Sequence, residues 1–326
     1  MYPQTRLRRL RTDLLRPLFT ETRLAEEDFI LPLFFDEAAT ERSEIASMPG
    51  QFRYPLCDAP SLAKELIEEG VKSVILFGIP KEKDACASSA FRESGVIQEA
   101  VRLMKAAASN LVVITDLCAC EYTDHGHCGI IKKEGAGFEL DNDASLALIA
   151  KIAVSQAKAG ADMVAPSCML DGQVFAIRKA LDEAGFKNTP IMSYSTKFAS
   201  TLYGPFRFAA DSAMSFGDRK TYQMNPANGR EAVRESELDA EEGADVLMVK
   251  PSTIYLDVLA SVKKIGLPTA AYHVSGEYAM IKAAAQNGWI DEKMVVLETM
   301  TSLKRAGADL IITYYTRDIL RWMHEK

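Results

Sequence analysis

Gly243-Ala-Asp-Val-Leu-Met-Val-Lys-Pro251 reads as the end of a helix, a tight turn and a buried strand that stops on a lysine. Glycine after a helical stretch takes the left-handed backbone of a C-cap without a Cβ clash. Val246–Val249 has the length and uniform apolarity of a parallel strand covered on both faces. The phrase recurs as Gly160-Ala-Asp162 and Gly307-Ala-Asp309. Further runs of this type are 29–35, 71–77, 111–117, 161–166, 190–194, 268–273 and 308–314. Helical patterns such as 61–69, 144–159, 174–184 and 294–306 alternate with them. About eight β-then-α units predict an α/β protein, a (β/α)8 TIM barrel. An open doubly wound sheet would carry a phosphate-binding glycine loop, and neither G-x-G-x-x-G nor G-x-x-x-x-G-K-[ST] occurs.

The 326 residues carry 38 basic and 45 acidic side chains, and 48% are hydrophobic. That balance excludes disorder and collagen, and an acidic total argues against nucleic acid as partner. No apolar run is long enough to span a membrane. The positive charge is concentrated at the start, where Arg6, Arg8, Arg9, Arg11 and Arg16 interleave with Leu7, Leu10 and Leu14. A transit peptide has that composition, but no apolar core or cleavage site for secretion follows. We read residues 1–26 as an extended N-terminal arm that packs on another subunit, and 27–326 as the barrel. Six cysteines without a mark of secretion predict reduced thiols in the cytoplasm.

In such a barrel, catalytic groups sit at the C-terminal ends of strands. There the sequence places Asp116 and Cys118, Ser167, Lys197, Lys250, His273 with Ser275, and Tyr314 with Tyr315. Cys118, Cys120 and Cys128 form a C-x-C-x7-C pattern, and three thiolates suit a zinc ion with one open position. Buried small hydrophobes are the plainer reading. His125 and His127 lie inside the pattern as ligands, supports or ordinary loop residues, which spacing does not decide. Lys197 and Lys250 end neighbouring strands, where burial and mutual repulsion lower the pKa of each and favour imine formation with a ketone. Arg207 and Arg219 follow in a loop suited to a carboxylate or phosphate.

These residues carry a resemblance. The cysteine loop, Met192-Ser-Tyr-Ser-Thr-Lys-Phe-Ala199, Tyr203-Gly-Pro-Phe-Arg207, Met248-Val-Lys-Pro251 and Tyr272-His-Val-Ser-Gly-Glu277 resemble the 5-aminolevulinate dehydratase (porphobilinogen synthase) family from about Arg6 onward. The resemblance implies a hydro-lyase that condenses two 5-aminolevulinate molecules into porphobilinogen, with an arm that embraces a neighbour in a homo-octamer. It implies Schiff bases on Lys197 and Lys250, the latter holding the substrate that becomes the propionate side. It further implies catalytic zinc on Cys118, Cys120 and Cys128, and one substrate carboxylate at Arg207, Arg219 and Gln223. Ser275 and Tyr314 would hold the other, with Asp116, Tyr203, Phe206 and Tyr272 lining the pocket. Glu235 matches a carboxylate near an allosteric magnesium. One departure is Cys168 after Ala165-Pro-Ser, where many relatives carry aspartate. Amine handling then falls to Asp116 and the metal site, and Cys168 is not assigned as a ligand. An aldolase-type barrel would share the lysines without the cysteines, and a zinc scaffold the cysteines without the lysines.

Overall fold

A computed structural model describes Tyr2, residues 4–134 and residues 137–325. Eight parallel strands form the barrel: β1 (Phe29–Asp36), β2 (Ser73–Ile79), β3 (Val112–Leu117), β4 (Met163–Pro166), β5 (Met192–Lys197), β6 (Val246–Lys250), β7 (Thr269–His273) and β8 (Leu310–Thr313). They run in the order β4-β3-β2-β1-β8-β7-β6-β5, and the bridge Val164↔Ile191 brings the two ends together. Helices pack outside, including Asn142–Ala159, Gln173–Glu183, Gly229–Glu241 and Glu292–Ala306. The expected TIM barrel is the fold found. No helix among the described residues is long and apolar enough to cross a membrane.

The Gly-Ala-Asp phrases show how the units are tied. Gly160, Gly243 and Gly307 have φ of 102, 105 and 120°, the left-handed geometry that their C-cap role requires. Each following aspartate then accepts a backbone N–H from the preceding strand or the residue entering it. Asp162 binds Val113 N–H at 2.7 Å, Asp245 binds Ile191 N–H at 2.8 Å and Asp309 binds Thr269 N–H at 2.8 Å. Lys105 and Lys263 pair with Asp162 and Asp309 beside those bonds. One three-residue phrase therefore ends a helix and sets the register of two strands.

Strand β5 extends past the expected end at Tyr194 and takes in Lys197. Its pairing with β6 slips by one residue: Ser193 faces Leu247, but Thr196 faces Val249. The extra residue is a β-bulge. A short hairpin, Ile131–Glu134 with Gly137–Leu140, follows the cysteine loop and has no counterpart in the expected elements. The start of the chain holds short 3-10 turns at Leu7–Leu10 and Arg16–Phe19, with Leu7, Leu14, Leu18 and Phe19 exposed.

Candidate active site

Lys197 and Lys250 lie directly opposite each other in the β5–β6 register, each 5% exposed. In a regular strand Tyr194 and Lys197, three apart, would face opposite sides. The bulge turns both inward while Ser195 and Thr196 hydrogen-bond Ser236 on the flanking helix. Tyr194 accordingly lies beneath both amines, 5.4 Å from Lys197 Nζ and 4.9 Å from Lys250 Nζ. Lys250 also sits 4.0 Å from the Tyr272 ring centroid, 5.1 Å from Phe206 and 5.4 Å from Tyr203. Lys197 instead donates to Ser167 O at 2.5 Å.

These surroundings separate the two amines. Burial first, then the Lys197 charge, brings Lys250 down to about 7. Burial also disfavours the Lys197 cation, but the neighbouring sulfurs of Cys128, Cys118 and Cys120 together with Asp116 outweigh it and raise that pKa. The expected mutual depression is thus one-sided: the sulfurs and Asp116 prevail at Lys197, whereas burial and the Lys197 charge prevail at Lys250.

The cysteine loop leaves β3 and curls back over the mouth. Sγ atoms of Cys118, Cys120 and Cys128 all lie within 4.8 Å of one another, and Cys118 to Cys120 is 3.3 Å. Three buried soft donors gathered in this way can hold a metal ion. Cys168 Sγ stands 3.7 Å from Cys118 Sγ, outside the group of three. Both histidines serve the loop. His127 Nδ1 lies 3.1 Å from the Tyr222 hydroxyl and Nε2 3.1 Å from Phe216 O, which makes Nε2 the donor. His125 Nδ1 accepts from His127 N–H at 3.1 Å.

The segment after β5 folds over the opening. Arg219 donates to Gly126 O and Ser212 O at 2.9 Å, tying the cysteine loop to this segment. Gly126 has φ 72°, and a Cβ there would collide with Ala213 O. Phe206 packs edge-on against Phe77 at 5.0 Å, and its N–H donates to Ser275 Oγ at 3.0 Å. Tyr203 donates to Phe198 O at 2.8 Å and Lys250 O at 3.0 Å.

A narrow cavity results, lined by Asp116, Cys120, Glu121, Ser167, Lys197, Tyr203, Phe206, Arg207, Arg219 and Lys250. Tyr272 lies against Lys250, and its hydroxyl is 3.4 Å from that of Tyr314. Gln223 is buried and lines a neighbouring cleft instead, with neither amide atom hydrogen-bonded among the described residues. Ser275 Oγ accepts from Phe206 N–H and donates to Leu202 O, and Ser275 does not line the cavity. His273, at the end of β7, bonds Thr313 Oγ1 at 3.1 Å and packs on Tyr315, so it does not join the cavity. Glu235, on the helix before β6, lines a separate surface cleft with Asp171, Glu231 and the Tyr222–Asn225 segment. Burial and those acidic neighbours raise its pKa.

Two groups at the site were not expected. Tyr194 needed the bulge, which no periodic pattern announces. Glu121 follows the second cysteine, and its only signal is that position. Burial and the Cys118 thiolate push Glu121 up to about 8, and the same causes push Asp116 to about 6.

The family model described as delta-aminolevulinic acid dehydratase matches residues 4–322. The chain belongs to this family. It is 53% identical over 325 residues to the delta-aminolevulinic acid dehydratase of Synechococcus elongatus, covering 99% of this chain and 100% of that one. The same enzyme of Bacillus subtilis is 54% identical over 322 residues, covering 98% of each. Among solved structures, delta-aminolevulinic acid dehydratase (porphobilinogen synthase) from Toxoplasma gondii, in complex with the reaction product porphobilinogen, superposes with a TM-score of 0.95. It is 44% identical and covers 98% of this chain and 92% of that one. The dehydratase family is therefore matched by sequence and by fold along almost the whole chain.

Proposed function

We propose that this chain condenses two molecules of 5-aminolevulinate into porphobilinogen, with loss of two waters, in tetrapyrrole biosynthesis. The observation that carries this reading is the register pair Lys197–Lys250, with one amine brought to about 7. An ordinary lysine is almost wholly protonated at neutral pH, whereas Lys250 is about half neutral there and can attack a ketone. Its nitrogen adds to the carbonyl carbon and water leaves. The resulting imine makes the neighbouring C–H acidic and the carbon electrophilic. Lys197 would form the second imine. Asp116, whose Oδ2 accepts from the Ser167 hydroxyl at 3.2 Å, would take protons from carbon. New C–C and C–N bonds close the ring as both lysine amines are released, the two waters having left when the imines formed, and a final deprotonation leaves the pyrrole.

Arg207 and Arg219, with Gln223, would hold one substrate carboxylate. Burial and the Arg219 charge weigh against the Arg207 cation, so an anion between them relieves a repulsion. Ser275 and Tyr314 would hold the other carboxylate. Cys118, Cys120 and Cys128 would bind zinc, since soft thiolate donors in a three-sulfur set favour it. Zinc supplies a Lewis acid at the mouth when bound. Glu235, with Asp171 and Glu231 nearby, would hold an allosteric magnesium through a carboxylate and waters. The basic arm, with its exposed leucines, would embrace a second copy in a homo-octamer in the cytoplasm. Purified protein incubated with 5-aminolevulinate should yield a product that gives a pyrrole chromogen. No chromogen from zinc-loaded protein would reject the reading.

A further inference from the structure

The motif Tyr272-His-Val-Ser-Gly-Glu277 ends on a carboxylate that the chemistry above leaves unused. Glu277 is 2% exposed, in the first turn of the helix Ser275–Gln286. Its two oxygens accept from different segments. Oε2 takes Val274 N–H at 2.7 Å, which closes the start of the helix. Oε1 takes Thr253 N–H at 2.9 Å, on the turn that leaves β6 just beyond Lys250. The β6–β7 ladder stops at Val249↔Ala271, before it reaches Lys250. Past that point the turn is tied to the β7 side by Glu277 and by Ser252. The Ser252 hydroxyl donates to Val249 O at 2.7 Å and lies 3.2 Å from Tyr272 O.

Both segments held by that carboxylate bear on the proposed chemistry. Lys250 Nζ stands 4.0 Å from the Tyr272 ring centroid, so a shift of the turn carries the amine off that ring. Val274 precedes Ser275, whose Oγ accepts from Phe206 N–H at 3.0 Å. We propose that Glu277 is a positioning residue for the imine, fastening the turn after Lys250 to the segment that carries Tyr272 and Ser275. An amine adds to a ketone only at short range and along a narrow path, and a misplacement of about 1 Å costs up to about a hundredfold in rate. With one N–H on each oxygen, a carboxylate satisfies both donors, whereas a carboxamide turns its own NH2 towards one of them. The proposal rests on the reading of Lys250 as the imine-forming lysine, and it adds a residue that acts through Lys250.

The test follows imine formation on zinc-loaded enzyme with 4-oxopentanoate and cyanoborohydride. That ligand offers the ketone and carboxylate without an amine, so it forms the imine and goes no further. At about pH 8.5 Lys250, brought to about 7, is neutral, and Glu277, pushed up to about 7 by burial, is a carboxylate. Mass spectrometry measures the reduced adduct on Lys250. Glu277→Asp separates the two bonds. An aspartate in the same helix position still reaches back to its cap, as Asp28 does to Ala25 N–H at 2.9 Å, but it falls a methylene short of Thr253. Adduct formation at saturating ligand should slow by about tenfold or more in Glu277→Asp and Glu277→Gln. The half-saturating concentration should stay within about threefold in Glu277→Asp, because Val274 and Ser275 keep their place. Circular dichroism and zinc content of Glu277→Asp should match the wild type. Wild-type adduct formation in either variant would overturn the assignment, and so would a change in half-saturation alone. Slowing that comes with lost zinc or lost helical signal would mark a merely structural role and overturn it too. Should Glu277→Gln not fold, Glu277→Asp decides by itself. Wild-type enzyme that gives no adduct on Lys250 would instead bring down the imine reading, whatever Glu277 does.

Discussion

Lys197 and Lys250 are register partners on adjacent parallel strands, and both amines lean over the ring of Tyr194. One amine is tied to a backbone carbonyl and faces three sulfurs, while the other lies among four aromatic rings. The pair is therefore unequal.

Lys250→Arg should fold and lose activity by about a thousandfold or more, since a guanidinium cannot form an imine. Borohydride added with 5-aminolevulinate should fix substrate on Lys250, with mass spectrometry locating the adduct. Activity of the native enzyme should fall as pH drops through about 7, where the amine takes up its proton. Lys197→Met should lose its own imine and move the acid limb of residual imine formation to higher pH. Label on neither lysine would end the imine mechanism for this chain.

Stability gives an independent reading of the same group. Lys250 has a folded pKa near 7 against an ordinary value of 10.5, so the folded state binds its proton less readily than the unfolded one. That cost to stability is full below about pH 7 and fades as pH rises towards 10.5. Lys250→Met should accordingly raise the thermal midpoint at pH 6, with a gain that shrinks steadily above pH 7. An unchanged or lowered midpoint at pH 6 would show that the amine is not destabilised by burial.

Cys120→Ala should remove bound metal and nearly all activity while leaving circular dichroism and the thermal midpoint almost unchanged. The loop lies above the barrel and contributes no barrel strand. Cys168→Ser should keep the metal content of the native protein, because its sulfur lies outside the group of three. Loss of metal from Cys168→Ser, measured by elemental analysis, would make it a ligand after all.

Removal of residues 1–17 should leave a folded but smaller species. Leu14 is 88% exposed and Leu18 73%, so an isolated barrel gains little from them. Light scattering that found an unaltered assembly would dismiss the arm as the joining element.

Glu235→Ala should abolish any stimulation by magnesium and preserve basal turnover. Glu235 lines a cleft with the Tyr222–Asn225 segment, separate from the catalytic cavity. Turnover assays with and without magnesium decide the matter, and no effect on native enzyme would retire the site.

Local sequence was enough for the barrel, because its grammar is local. A C-cap glycine, an apolar run and an aspartate that reaches back to the preceding strand repeat within a few residues of one another. The lysines, the cysteine triad and the arginines were legible for the same reason, as strand-end or loop residues of unmistakable chemistry. The bulge in β5 was not legible, since one extra residue is stabilised by hydroxyls meeting Ser236 on a helix about forty residues away. Without it Tyr194 and Lys197 would face opposite sides. Nor could spacing separate two similar lysines, because a pKa answers to the charges that surround a group in three dimensions. Glu121 carries no signal in the sequence beyond its place after Cys120, because its surroundings exist only once the loop lies over the mouth. Folding alone buried its carboxylate in the cavity and left both oxygens without a donor.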